Sequence, residues 1–248
     1  MLDKNFLVKK VVNSLQKREF EVFTTEGAFD VVARREKILL LKVLLNVDGL
    51  QEEQALSLRA IAHFVSAYPF VISMHNNRQI LKKNVVYSRF EIPVVAPELF
   101  EAIIDENAEV FHSAKGKHTA EISAQKLREK RIEMKLTLKQ LAEMVGISKK
   151  ALYDIEKLKV RPTRKTVQRL EKVLSVELRK NFENKPVPET ILKPRTDFQR
   201  KVHKEFYRIG IKNSPVYLGP IELVGREKFS LISLLSDSIE KLKTEVAV

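Results

Sequence analysis

The period of the apolar positions changes several times along the chain, and each change marks an element. In the first twenty residues Leu7, Val11 and Leu15 recur every fourth position, which predicts an amphipathic helix. FEVFT, FDVVARR and ILLLKVLLN then lose that period and read as three strands, separated by TEG and by the charged REK turn. The last two are apolar almost throughout, as befits central strands covered on both faces. EEQALSLRAIAHFVSAY returns to helical spacing through Leu56, Ile61, Phe64 and Val65, and PFVISM is a further strand. Beyond the basic stretch NNRQILKKN, VVYSRFEIPVVAPELFEAIID predicts a strand and then a helix starting around Pro97. Residues 1–105 therefore read as one α/β domain.

Residues 106–120 lose hydrophobic periodicity and are expected to be a linker. Their AKGKH has a single glycine and does not make a phosphate-binding loop. Residues 121–183 hold four helical patterns separated by short turn signals, with a short fifth in VELRKNF, and read as an all-α, five-helix domain. Residues 184–196 contain Pro186, Pro188 and Pro194 and predict a second, extended and stiff linker. Residues 197–248 form a small α/β segment that looks like a shortened echo of the N-terminal domain. FQRKVHKEFYRIGI parallels LVKKVVNSLQKREF, and PIELVGREKFSLISLL parallels FDVVARREKILLLKVL, with Arg226-Glu227-Lys228 repeating Arg35-Glu36-Lys37 and Glu222 one residue from the place of Asp30. Lacking the later strands, this piece has to lean on another domain or subunit. LLSDSIEKLKTEV predicts a terminal helix.

In the all-α domain, Thr137 and Ser148 each precede an apolar-periodic run and suit the N-cap of a short helix, with Gly146 between the two helices. Leu141, Ala142, Val145, Ile147, Leu152 and Ile155 fall on inward positions, and Leu127, Met134, Val160, Val167, Leu170 and Leu174 complete the expected core. Two short helices so arranged form a helix-turn-helix.

Charge sharpens this picture. The 248 residues carry a formal net charge of +13, and residues 121–183 hold seventeen Lys/Arg against nine Asp/Glu, while the remaining 185 residues hold 28 against 23. An excess concentrated on the helical domain is what a protein displacing counterions from a polyanion requires. The absence of cysteine excludes disulfides, thiolate catalysis and cysteine-ligated metals. The five histidines show no i, i+4 ligand pair, so no metal or cofactor is expected. The longest apolar run, ILLLKVLLNV, is interrupted by Lys42 and too short to span a bilayer. With no secretory signal in MLDKNFLVKKVVNSLQ, a cytoplasmic protein away from membranes is expected.

The stretch LKQLAEMVGISKKALYDIE resembles the helix-turn-helix of the phage repressor and Cro (XRE) family, and the likeness covers about fifty residues without a gap. It implies a lambda-repressor-like domain whose recognition helix begins after Ser148 and enters the major groove of double-stranded DNA. By position it assigns base contacts to Lys149, Lys150, Tyr153 and Asp154, and backbone contacts to Thr137, Lys139, Ser148, Arg161, Thr163 and Arg164. It also implies a buried pair between Arg131 and Glu156. Many members have glycine where this chain has Lys135 and Leu158, and glutamine in place of Leu138. Family members commonly dimerise, so a homodimer is expected.

The N-terminal order of helix, three strands, helix and strand resembles the restriction-endonuclease-like fold. Active members hold a divalent metal on a strand-bend aspartate, matched here by Asp30, and on an acid two residues before a lysine matched by Lys42; the acid's place is Leu40. One carboxylate where several hard oxygen ligands are needed implies a nuclease scaffold without nuclease chemistry. The whole layout resembles an archaeal family of helix-turn-helix transcriptional regulators. The sequence thus reads as a non-enzymatic, sequence-specific transcriptional regulator. A metal-dependent nuclease and an adaptor of the basal transcription machinery are the alternatives, the latter at odds with the missing zinc-ribbon cysteines.

Overall fold

The computed structural model describes residues 3–114, 117–218, 221–227 and 230–233, and the chain divides into two units. The first comprises residues 1–81, 88–97 and 184–248; the second, residues 82–87 and 98–183.

In the first unit Asp3 caps helix α1 (Lys4–Gln16) by accepting from the Phe6 amide at 2.7 Å, and Leu7, Val11 and Leu15 are its buried face. That face packs on strands β1 (Glu21–Thr24), β2 (Val31–Arg34) and β3 (Ile38–Asn46), which pair antiparallel in that order. Helix α2 (Glu52–Phe64) then carries the chain to β4 (Tyr68–His75), parallel to β3, and β6 (Ile92–Val95) pairs parallel to β4. Leu39 to Val43 are buried without interruption, as expected of a strand covered on both faces.

The C-terminal residues complete this unit. The Pro-rich stretch 184–196 forms no helix or strand, and its Thr190 and Leu192 are buried. Helix α8 (Asp197–Arg208) leads into β9 (Lys212–Pro215), β10 (Leu223–Arg226) and β11 (Ser230–Ser233), all antiparallel. The order helix and three antiparallel strands repeats α1 to β3. The register shows how: Val31 pairs with Leu41 and Arg34 with Ile38, while Leu223 pairs with Ser233 and Arg226 with Ser230. Glu222 therefore stands where Asp30 does, and the Arg-Glu-Lys match is one residue out of step with the strands. The Glu222 carbonyl accepts from the Val216 amide at 2.9 Å, as the carbonyl of Asp30 accepts from Thr25 at 3.0 Å. The three-stranded piece leans on α2, where Ser57 Oγ accepts from the Tyr217 amide at 3.1 Å and the Arg195 guanidinium meets Glu53 at 2.6 Å. The predicted terminal helix lies outside the described residues.

The second unit contains the start of β5 (Val85–Arg89), α3 (Pro97–Ile104), β7 (Phe111–Ala114), β8 (Lys117–Thr119) and four helices: α4 (Ala124–Glu133), α5 (Leu138–Val145), α6 (Lys149–Glu156) and α7 (Arg164–Leu174). Two expectations change here. Residues 106–120 are not a plain linker: Val85 pairs with Phe111 in parallel register and His112 with Thr119 in antiparallel register. Residues 176–182 do not form a fifth helix. Ser175 takes a left-handed conformation (φ 49°), Glu171 Oε1 accepts from the Leu178 amide at 3.0 Å, and the Ser123 amide donates to the Leu178 carbonyl at 2.9 Å. These side-chain and non-local bonds replace the next helical turn, and Arg179 bridges to Ile122. One core joins the helices to the strands: Val85, Phe111, Ala120 and Ile122 with Leu127, Leu141, Ala142, Val145, Leu152, Ile155, Val167, Leu170, Leu174 and Leu178. Met134 and Val160, expected inside, are 42% and 54% exposed. Both lie at chain reversals, Met134 at the cap of α4 and Val160 in the loop after α6, where the helical period no longer applies. Among the described residues no helix is long and apolar enough to cross a membrane.

Candidate nucleic-acid interface

Helices α5 and α6 are built by their caps. Thr137 Oγ1 accepts from the Gln140 amide at 3.2 Å, and Gln140 Oε1 accepts in return from the Thr137 amide at 2.9 Å, a reciprocal capping box. Gly146 ends α5 at φ 75° and ψ 43°, a left-handed conformation open to glycine at no steric cost. A side chain there would also meet Arg169 Nη1 at 3.3 Å, a guanidinium that donates to the Val145 carbonyl. Two residues on, Ser148 Oγ accepts from the Ala151 amide at 3.0 Å and starts α6. Thr163 caps α7 in the same way, accepting from Thr166 at 3.3 Å. The three hydroxyls expected at the DNA backbone thus each hold a helix start.

Beneath the turn Arg131 and Glu156 form the expected pair: Nε donates to Oε1 at 2.7 Å, Nη2 to Oε2 at 3.1 Å, and Nη1 to the Leu136 carbonyl at 2.9 Å. Their side chains are 12% and 7% exposed, and the bond to Glu156 raises the Arg131 pKa above the ordinary arginine value. The fork fixes α6 to α4. Lys135 and Leu158, at the positions where relatives of this module have glycine, are left-handed at φ 56° and 55°. Each costs about 1 kcal/mol relative to glycine.

Leu152 and Ile155 bury one side of α6 and leave Lys149, Lys150 and Tyr153 exposed on the other, with Asp154 half-buried. Two lysines at a helix start oppose the macrodipole and are slightly unfavourable for the helix itself. Lys139 is exposed on the first turn of α5. Arg161, exposed after α6, is paired with Glu121 in the segment before α4. Arg164 places its guanidinium 5.1 Å from the centre of the Phe111 ring. Sequence reasoning missed Lys159. Its ammonium lies 5.4 Å from the Tyr153 ring centre, and its amide donates to the Asp154 carbonyl at 2.9 Å, so the loop after α6 folds back along the exposed side of that helix. No periodicity signals a contact made beyond a helix end.

The nuclease-like position in the first unit is differently occupied. Asp30 is buried, with Oδ1 accepting from Lys4 Nζ at 2.7 Å and Lys42 Nζ at 3.3 Å, and Oδ2 accepting from the Val43 amide at 2.7 Å. Lys42 also donates to the Gly27 carbonyl at 2.7 Å, and burial pulls its pKa below the ordinary lysine value against the opposing pull of Asp30. Leu40, where a second acid would stand, is buried and apolar. These residues do not fit a divalent cation: one carboxylate is available, and two ammoniums already neutralise it. Among the described residues no group of three or more His, Asp or Glu could hold a metal.

Residues 4–110 match the model of the PD-(D/E)XK superfamily domain and residues 127–181 that of a helix-turn-helix. Over 204 residues the chain is 32% identical to a protein of Methanothermobacter thermautotrophicus named "Putative HTH-type transcriptional regulatory protein", covering 81% of this chain and 64% of that one. Proteins named in the same words match in Methanocaldococcus jannaschii, at 28% identity over 99% of this chain and 80% of the relative, and in Pyrococcus furiosus, at 29% over 95% and 76%. No solved structure matches the chain.

Proposed function

We propose that this chain is, like those relatives, an archaeal HTH-type transcriptional regulatory protein: a sequence-specific DNA-binding regulator of transcription without catalytic activity. The observation that carries the reading is the exposed, capped α6, locked from behind by Arg131 and Glu156 and led by Lys149 and Lys150. Its first turn enters the major groove, where lysine donates to guanine O6 and N7 and Asp154 accepts from a cytosine or adenine amino group. Lys139, Arg164 and the capped starts of α5, α6 and α7 meet phosphates and set the register. A homodimer places two such helices on half-sites about one helical turn apart. In vitro selection from a random duplex pool is expected to enrich a palindromic site. A pool that never departs from random would overturn sequence-specific recognition.

The composition of the Asp30 position supports a regulator without catalysis. Lys4 and Lys42 supply the positive charge there, and Leu40 cannot ligate a cation. Duplex and branched DNA incubated with the protein and Mg²⁺ are expected to stay intact on a denaturing gel. Cleavage that disappears in Asp30→Asn would reverse this assignment.

A further inference from the structure

The stretch that the sequence presents as a linker packs against the helix-turn-helix, and it brings cations of its own. The Phe111 amide donates to the Asn84 carbonyl at 2.9 Å, which ties β7 to the start of β5. At its other edge the hairpin meets the chain that has just left α6: the Ala120 amide donates to the Pro162 carbonyl at 3.0 Å, and Thr119 bridges to Thr163, the cap of α7. The loop between α6 and α7 thus bonds back to Asp154 of α6 at its start and to Ala120 at its end.

Three basic side chains come from the elements these bonds tie together: His118 in β8 and Arg164 at the start of α7 are each one residue from the Thr119–Thr163 bridge, and Lys82 is exposed two residues before Asn84, the partner of Phe111. The His118 pKa lies below the ordinary histidine value, first through burial and then through the positive charges of Lys82 and Arg164. Glu98 pairs with Lys83 at 3.5 Å and Glu121 with Arg161. Among the described residues none of the three has an acidic partner. The two positive charges of Lys82 and Arg164 disfavour protonation of His118 in the free protein, and an anionic ligand relieves that repulsion.

We propose that Lys82 and Arg164, with the His118 ring beside them as a hydrogen-bond donor, form a cationic arm that grips the sugar–phosphate backbone of duplex DNA beside the groove entered by α6. The inference rests on the reading of α6 given above. The arm contacts phosphate and no base edge, so it adds affinity and salt dependence without changing which site is chosen. Arg164 is shared between the loop and the arm, while Lys82 and His118 extend the footprint past the helices.

The test is a salt titration of affinity, by fluorescence anisotropy, on a selected duplex and on a random-sequence duplex of equal length. Removing one cation that neutralises a phosphate reduces the slope of log affinity against log salt by roughly one. Lys82→Ala is expected to lower that slope by about one and to weaken both duplexes alike, by about fivefold at 0.15 M salt. Lys82→Ala with Arg164→Ala is expected to lower it by about two. An unchanged slope in the double variant, or a weakening confined to the selected duplex, would overturn the arm while leaving the assignment of α6 intact. Should Arg164→Ala unfold the unit, Lys82→Glu decides alone, since its exposed side chain supports no packing; an unchanged slope there overturns the arm. A parent protein that binds neither duplex would overturn both the arm and the reading beneath it.

Discussion

Alanine at both Lys149 and Lys150 is expected to lower affinity for the selected DNA site by about 2–6 kcal/mol, on the basis of about 1–3 kcal/mol for each good base contact. Both ammoniums are exposed on the first turn of α6, and neither has an ion-pair partner among the described residues. Their removal leaves Ser148 capping the helix and Leu152 and Ile155 in the core, and relieves a small repulsion with the helix dipole. Thermal unfolding should therefore shift little while binding falls. The loss should be larger on the selected duplex than on a random one at the same salt, because part of each contact reads a base. A double variant that keeps the parent's affinity for the selected site would show that α6 is not the reading element.

Glu156→Ala is expected to destabilise the second unit by roughly 3–5 kcal/mol, a loss that follows from orphaning a charge. Glu156 accepts from the Nε and Nη2 donors of Arg131 in a bidentate fork, and both side chains are largely shielded from water. Deleting the carboxylate leaves a buried guanidinium bonded only to the Leu136 carbonyl. The intact pair need not favour folding over an apolar replacement of equal volume, since desolvation offsets much of its attraction. Exchanging both partners, Arg131→Met with Glu156→Leu, should therefore cost far less than the single deletion. Chemical denaturation of the three variants measures this. A single variant that unfolds with the parent would mean that the fork does not hold α6 in place.

Neighbours in sequence explain what could be read in advance. Thr137, Gly146 and Ser148 specify two helices and the turn between them through bonds that span three or four residues, and the apolar spacing from Leu127 to Leu174 orients them. The Arg131–Glu156 fork and the left-handed Lys135 and Leu158 were legible from family resemblance, because the module repeats the same geometry wherever it occurs. Asp30, Leu40 and Lys42 likewise disclosed a nuclease scaffold with an incomplete acid set. Lys4 was not foreseeable: it reaches Asp30 from 26 residues away, and nothing in α1 marks it apart from its neighbours.

The sequence by itself determined the two short helices capped at Thr137 and Ser148, the order of helix and strand from α1 to β4 and the charge concentrated on residues 121–183, since these depend on local hydrogen bonds and on the solvation of single residues; VVYSRFEIPVVA, read as one strand, is β5 and β6, separated at Phe90 and Glu91, whose φ angles are 48° and 62°. Tertiary structure alone decided that β7 and β8 form within residues 106–120, that residues 176–182 form no helix, that Arg161 pairs with Glu121, and that the C-terminal strands rest on α2. Each of those outcomes joins distant segments of the chain. A short strand gains its backbone partners only when the chain brings them, and until then its pattern does not differ from that of a loop.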